Sequence, residues 1–392
     1  MNILYVLNDT TMHGGATKSF LNQLLWLMKK DVCPIVLLPK ADGLYDVLKD
    51  MSIPVYAMGF RWNTYPKVNS ITDILLLLPR LAQRQIRNYH TVQKLSRLLR
   101  NKQIDIIHSN VSIIDVGFRT AQKLKIPHIY HIREYADKDF GLHYVPTRKS
   151  FLNSLNRTRS YNICITKDIQ RYFHLSNNPN SRVIYNGIQE EVKIMPSLEK
   201  KRFFLYAGRI DHAKGIDILL SAYNDYVQNS KSVIIPLYIA GNAPDSSFHN
   251  QIMNYISKNN LSDKVSFLGQ CDNIDQLMQQ AQAIIIPSRS EGFGRCLAEA
   301  MFNGCLTICH NTAGLKEQLE NGIELTKEEI GLGYDTPQQL TRILEDVSEA
   351  PSDKYKHMID LAFSTVNQLY TREKNAEAIY KFYNFILNDT NN

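Results

Sequence analysis

Ser288-Arg289-Ser290-Glu291-Gly292-Phe293-Gly294-Arg295-Cys296-Leu297-Ala298-Glu299-Ala300-Met301 is the stretch on which the reading of this chain turns. It follows an apolar run, Ala283 to Pro287, that reads as a buried strand, and it opens an amphipathic helix stopped at Asn303-Gly304. Two glycines at the turn let a bulky ligand approach the backbone. The helix N-terminus offers free N–H groups and the positive end of a dipole, which suits phosphate. Glu291 on the loop and Glu299 about one turn into the helix can accept hydrogen bonds from sugar or ribose hydroxyls. Taken alone, the stretch reads equally well as a plain strand–turn–helix with a solvated glutamate pair.

Upstream, Phe203 to Ala207 reads as a strand and is followed by Gly208-Arg209-Ile210-Asp211-His212-Ala213-Lys214-Gly215, with a helix from Ile216 to about Val227. Arg209 at the strand end and Lys214 at the helix start can converge on one anion and stabilise a diphosphate leaving group. Two solvated surface cations are the plainer alternative. Further strands are expected at Ile234–Ala240, Val265–Leu268 and Leu306–Cys309, with helix from Thr312 and again from about Thr336 onward.

The first half reads the same way. Asn2 to Leu7 is a strand, and Gly14-Gly15-Ala16 opens a helix through about Lys29. The spacing is not G-x-G-x-x-G, so a dinucleotide site is not supported. Ile104 to His108 and Pro127 to His131 read as strands, ending in His108-Ser109-Asn110 and His131-Ile132-Arg133-Glu134. Ligands of parallel sheets bind beyond the carboxyl ends of the strands, so His108, His131, Arg133 and Glu134 are candidates for chemistry. Any one strand-end histidine is also an ordinary core or surface residue. Strands alternating with helices at crossover length give an α/β, doubly wound organisation. The polar, Pro196-containing stretch from Glu190 to Lys201 reads as a linker. The domains expected are therefore 1–189, 202–370 and a C-terminal helix, 371–392, crossing back to the first domain.

The chain has 392 residues, enough for two ordinary domains, with 44% apolar and 21% charged residues. No run approaches the ~20 apolar residues of a membrane span, and the start has no signal-peptide pattern. The six cysteines form no C-x-x-C pair and are expected reduced, in a cytoplasmic protein. Residues 1–190 hold 26 basic and 13 acidic side chains, whereas the rest of the chain is net acidic. Such asymmetry points to an anionic ligand or surface for the first half. Residues 70–102 concentrate it: Arg80, Arg84, Arg87, Lys94, Arg97, Arg100 and Lys102 lie on a helical pattern opposed only by Asp73, with Pro79 interrupting. A basic helix with an apolar face can lie on an anionic membrane surface, or simply be a packed helix with a solvated basic side.

The elements together resemble the family 4 retaining glycosyltransferases. The matching residues are Gly14-Gly15-Ala16, Ile184-Tyr185-Asn186-Gly187-Ile188, Gly208-Arg209 with Lys214-Gly215, and Gly269. They continue with Pro287-Ser288, Glu291-Gly292-Phe293-Gly294, Glu299-Ala300-Met301, and Gly314 with Glu317. The chain is also similar to bacterial transferases of capsule and exopolysaccharide repeat units. The resemblance implies a GT-B fold, two facing Rossmann-like domains with the cleft between them. It implies a retaining transfer of a hexose from a nucleotide-diphosphate sugar, expected to be a UDP-sugar, to a glycan acceptor, expected to be lipid-linked.

By the same resemblance, Arg209 and Lys214 hold the donor diphosphate, and Glu291 with the backbone of Gly292, Phe293 and Gly294 holds the donor sugar. Glu299 binds the ribose, Gly15 lets the donor phosphate approach the first domain, and His108 stands near the reacting sugar. His131, Arg133 and Glu134 line the acceptor side. Thr17 stands where many members carry an acidic residue, which leaves acceptor handling there open. By the same resemblance no metal or other cofactor is expected, and no nucleic-acid partner. Peripheral association with the inner face of a membrane is expected. The rival reading is a non-catalytic GT-B partner or chaperone of another transferase.

Overall fold

The computed structural model describes residues 1–12, 15–66, 70–196, 199–230, 232–351 and 353–391, the side chains of 390 and 391 excepted. The chain divides into two compact units, Met1–Gln189 with Arg372–Asn392, and Glu190–Thr371. Among the described residues no helix is long and apolar enough to cross a membrane.

The first unit is built on the strands β1 (Asn2–Val6), β2 (Cys33–Leu38), β3 (Val55–Ala57), β4 (Thr64–Pro66), β5 (Ile106–Ser109), β6 (His128–Ile132), β7 (Leu142–Tyr144), β8 (Ser160–Cys164) and β9 (Ser181–Val183). Seven of them form one parallel sheet in the order β3-β2-β1-β5-β6-β8-β9; β4 and β7 pair antiparallel apart from it. The sheet strands are buried on both faces, which is why they read as continuous apolar runs rather than alternating ones. The strand order reverses between β1 and β5, and His108 and Ser109 end β5 there.

The last helix, Arg372–Asn391, belongs to this unit. Its Ile379, Phe382, Tyr383 and Ile386 lie in one apolar core with Tyr5, Phe20, Leu24, Ile106 and Tyr161. Each such side chain contributes about 1.5–3 kcal/mol on burial. Tyr161 also donates to Asp389 (2.6 Å), and Asn375 donates to the Tyr185 carbonyl (2.6 Å).

The basic segment is a single helix, Ile71–Leu99, running through Pro79 rather than breaking there. The proline frees the Leu75 carbonyl, and Leu75 is 71% exposed, so solvent can take that acceptor. Only the second half packs inward, through Asn88, Thr91, Val92, Leu95, Ser96 and Leu99.

The second unit carries β10 (Phe204–Ala207), β11 (Leu237–Ala240), β12 (Val265–Gly269), β13 (Ala283–Ile286), β14 (Thr307–His310) and β15 (Leu332–Tyr334). They form a parallel sheet in the order β12-β11-β10-β13-β14-β15. Here the order reverses between β10 and β13, which pair Phe204 with Ala283 and Leu205 with Ile284. The loops leaving these two strands are therefore neighbours, and they are the two motif loops of the sequence. The edge strand β15 is three residues long and contains Gly333, which hid it from sequence reading.

Candidate active site

In the second unit the two loops are locked together by backbone packing. Gly215 has φ +67°, and a Cβ there would stand 2.0 Å from the Pro287 carbonyl oxygen. The Arg289 amide donates to the Ala213 carbonyl (2.9 Å), and its guanidinium grips Asp217 with two bonds (2.8 and 2.7 Å). This clamp sets the short helical turn His212–Lys214 beside the β13 loop. Lys214 Nζ consequently ion-pairs with Glu291 Oε1, and the Ser288 hydroxyl donates to the same oxygen (2.9 Å). Asp211 accepts from the Lys214 amide (3.0 Å) and pairs with the half-exposed Arg209 (3.3 Å).

The Gly292-Phe293-Gly294 turn is shaped from the other side by the helix Ala313–Thr326. The Gly314 amide donates to the Glu291 carbonyl (2.9 Å), and a Cβ on Gly314 would meet Gly292 O and Phe293 Cα at 2.7 Å. Gln318 donates from below to the carbonyls of Phe293 and Gly294. With those carbonyls tied back, Gly294 (φ +85°) starts the helix Arg295–Phe302 without a side-chain cap. The positive end of that helix dipole stabilises an anion placed near the turn. Glu299 is held by Arg295 (3.1 Å). Arg209 and Lys214 thus stand on one loop, with Glu291 and the helix start on the neighbouring one. An anion that takes Lys214 competes with Glu291 for the ammonium and leaves that carboxylate able to accept from hydroxyls.

In the first unit the strand ends hold a buried relay. Arg133 donates to the Asn110 carbonyl (3.0 Å), the Asn110 amide oxygen (3.0 Å), Asn186 Oδ1 (2.7 Å) and His131 Nδ1 (3.2 Å). A guanidinium only donates, so His131 Nδ1 is an acceptor and its proton sits on Nε2. His108 Nε2 meets the same Nδ1 at 3.1 Å, and His108 Nδ1 meets the Tyr383 hydroxyl at 2.7 Å, that hydroxyl donating its own proton to Tyr5 (3.1 Å). Burial, reinforced by the charge on Arg133, holds both imidazoles well below the usual histidine range, so both are neutral. His131 Nε2 is buried and finds no hydrogen-bond partner among the described residues. Glu134 accepts from the amide and hydroxyl of Ser112 (2.8 and 2.7 Å). Burial outweighs those bonds and pushes its carboxyl up to about 7.

The relay corrects one expectation. His108 does not present a nitrogen to a reacting group: it is fully buried and both nitrogens are engaged by Tyr383 and His131. Among the described residues, the ring nitrogen of this pair with no partner is His131 Nε2. Arg133 likewise holds neighbouring side chains rather than standing free. Gly15 begins the helix Gly15–Leu27, while Gly14 lies outside the described residues. Thr17 is buried within that helix. Tyr383, Asn110, Asn186, Ser288 and Gln318 were not assigned roles from sequence. Asn110 and Asn186 each follow a strand, which is the only local signal they carry.

Residues 13–192 match the model of Glycosyltransferase Family 4, and residues 188–364 match that of Glycosyl transferases group 1. An uncharacterised glycosyltransferase of Methanocaldococcus jannaschii is 29% identical over 57% of this chain. The match spans 61% of that relative's length, and 56% and 45% of the lengths of two others. The capsular polysaccharide biosynthesis glycosyltransferase CapH of Staphylococcus aureus is 22% identical over 60% of this chain and 66% of its own. Among solved structures, Anabaena HepE in complex with UDP superposes with a TM-score of 0.76 over 97% of this chain and 99% of its own, at 20% identity. That likeness identifies the two Rossmann-like sheets as a GT-B fold. With one family region on each side of residue 190, the chain belongs to the family 4, group 1 glycosyltransferases.

Proposed function

We propose that this chain is a retaining hexosyltransferase that moves a sugar from a UDP-sugar to a glycan acceptor, lipid-linked, in cell-surface polysaccharide synthesis. The observation that carries the reading is the convergence of Lys214 and Glu291 at the start of the helix Arg295–Phe302, with Arg209 on the same loop as Lys214. Breaking the bond from C1 to the diphosphate develops negative charge on the leaving group and positive charge on the sugar. Lys214, Arg209 and the positive end of the helix dipole stabilise the first. Glu291, released from Lys214 by the diphosphate, accepts hydrogen bonds from the donor sugar's hydroxyls. Glu299, four residues along the helix from Arg295, takes the ribose hydroxyls. His131 offers an Nε2–H donor to the reacting sugar, its tautomer set by Arg133 and His108.

Retention then follows from attack by the acceptor on the face the diphosphate leaves; no side chain is assigned as a covalent nucleophile. HepE in complex with UDP, and in complex with UDP-glucose, supports uridine as the base and glucose as the first sugar to try. CapH supports a polysaccharide product. The test is a panel of nucleotide sugars scored for hydrolysis and for thermal stabilisation. A true donor raises the midpoint by binding only the folded state. A panel in which UDP-sugars are neither bound nor hydrolysed, while another nucleotide sugar is, would replace the base assignment. Binding without turnover in the presence of acceptor extracts would favour the non-catalytic partner.

A further inference from the structure

The helix Ile71–Leu99 carries two stripes between Ile71 and Tyr89. At 3.6 residues per turn Ile71, Ile74, Leu75, Leu78, Ile86 and Tyr89 fall together along one flank, and each is more than half exposed. Arg80, Arg84 and Arg87 fall along the other flank. There Arg61, from the loop after β3, joins them: Arg61, Arg80, Gln83, Arg84 and Arg87 line a surface cavity of about 230 Å³. The Asn88 side chain fixes the Arg61 backbone with two hydrogen bonds (2.8 and 3.0 Å), so the fourth guanidinium is held near the helix. Arg84 is braced on the Thr64 carbonyl (2.7 Å). Among the described residues, Asp73 pairs with one member of this cluster, Arg80 (2.9 Å). Gathering four guanidiniums around one acid is unfavourable unless an anion joins them. The effect shows in Arg84, whose pKa is lowered by burial and then by the charges of Arg61 and Arg80.

We propose that Arg61, Arg80, Arg84 and Arg87 form a recognition site for the phosphate or diphosphate of a lipid, with the exposed apolar stripe of the same helix seated in the lipid layer. Forked guanidiniums suit phosphate oxygens, and a cavity of this size holds several water volumes, enough for one such group. A soluble anion would make no use of the apolar stripe, and an exposed run of this kind is rare on a surface with no apolar partner. Trp62, beside Arg61 and 44% exposed, adds an aromatic of the sort enriched at membrane interfaces. The inference deepens the acceptor part of the proposed function and rests on that reading only for calling the lipid an acceptor carrier.

The experiment uses the full chain. Co-sedimentation is measured with phosphatidylcholine vesicles, with and without phosphatidylglycerol, at low and high salt, and binding of inorganic pyrophosphate is measured by calorimetry. Retention is expected on the anionic vesicles at low salt and release at high salt. The double variant Arg61→Gln, Arg87→Gln removes two exposed cations and should weaken partitioning about 30-fold. Leu75→Ser with Leu78→Ser should lower vesicle retention and leave pyrophosphate binding unchanged. Pyrophosphate binding that is lost in the arginine pair, without vesicle retention by the wild type, would make the cavity a site for a soluble phosphate and overturn the lipid. No retention on anionic vesicles and no pyrophosphate binding, or retention unchanged in the arginine pair, would overturn the site itself. Donor hydrolysis by the wild-type chain is measured separately: hydrolysis without retention overturns the lipid site and spares the transferase reading, and the reverse result does the opposite.

Discussion

Replacing Lys214 by methionine tests the reaction chemistry with the least disturbance of the fold. The ammonium is three-quarters buried and its partner in the structure is Glu291. Methionine keeps the stem and removes the charge. Two consequences of different size follow. For stability, Glu291 keeps the Ser288 hydroxyl on Oε1 and its own partial access to solvent. The pair is partly exposed, so its loss costs on the order of 1 kcal/mol. In a unit of this size that is a fall in Tm of about 2–4 °C. For turnover, the proposed role puts the lost charge against the departing diphosphate. A donor of that kind is worth about 3–4 kcal/mol in the transition state, so kcat should fall by a factor of about 100 to 1,000. The assay is nucleoside diphosphate release from the donor identified by the panel, with thermal melts on the same preparations. Near wild-type turnover at unchanged Tm would refute the assignment of Lys214 to the leaving group. A Tm fall of 10 °C or more would instead show that the pair holds the two loops together.

Glu299→Ala should weaken binding of free nucleoside diphosphate, whereas Glu291→Ala should spare it and impair sugar transfer; equal losses by calorimetry would show that the two carboxylates do not divide these roles. Glu134 titrates near 7 when folded and near its ordinary carboxyl value when unfolded, so the folded state binds the extra proton between those values. Its stabilising contribution is complete at low pH and is lost as pH rises through 7, at up to about 1.4 kcal/mol per pH unit. Urea unfolding of Glu134→Gln against wild type should therefore show a difference that shifts in the variant's favour from pH 5 to pH 7.5, and a constant difference would mean the carboxyl is not raised. Gly215→Ala forces a Cβ against the Pro287 carbonyl at φ +67°, and should cost more than about 2 kcal/mol of unfolding free energy; a loss below 1 kcal/mol would mean that the clamp between the two loops gives way easily.

How much of this was legible in the chain itself depends on how local the cause is. Two parallel, doubly wound sheets follow from apolar runs at crossover spacing, because strands buried on both faces must be continuously apolar. The motif loops also follow from local chemistry: Gly215 and Gly294 take positive φ, and Lys214 closes the short helical turn that its own loop forms. Pairings across distant segments are another matter. Nothing near His108 says that Tyr383, 275 residues later, will occupy its Nδ1, or that Arg133 will fix the tautomer of His131. Those contacts, which engage both nitrogens of His108, come from segments far apart in the chain. Likewise the basic pattern of residues 71–99 is visible as charge, but not that its second half packs inward while its first half stays exposed with Arg61 brought alongside. Periodicity states which residues share a face of a helix; only the fold decides whether that face meets a core, solvent or another segment's arginine, because burial and side-chain pairing are set by packing between segments far apart in the chain.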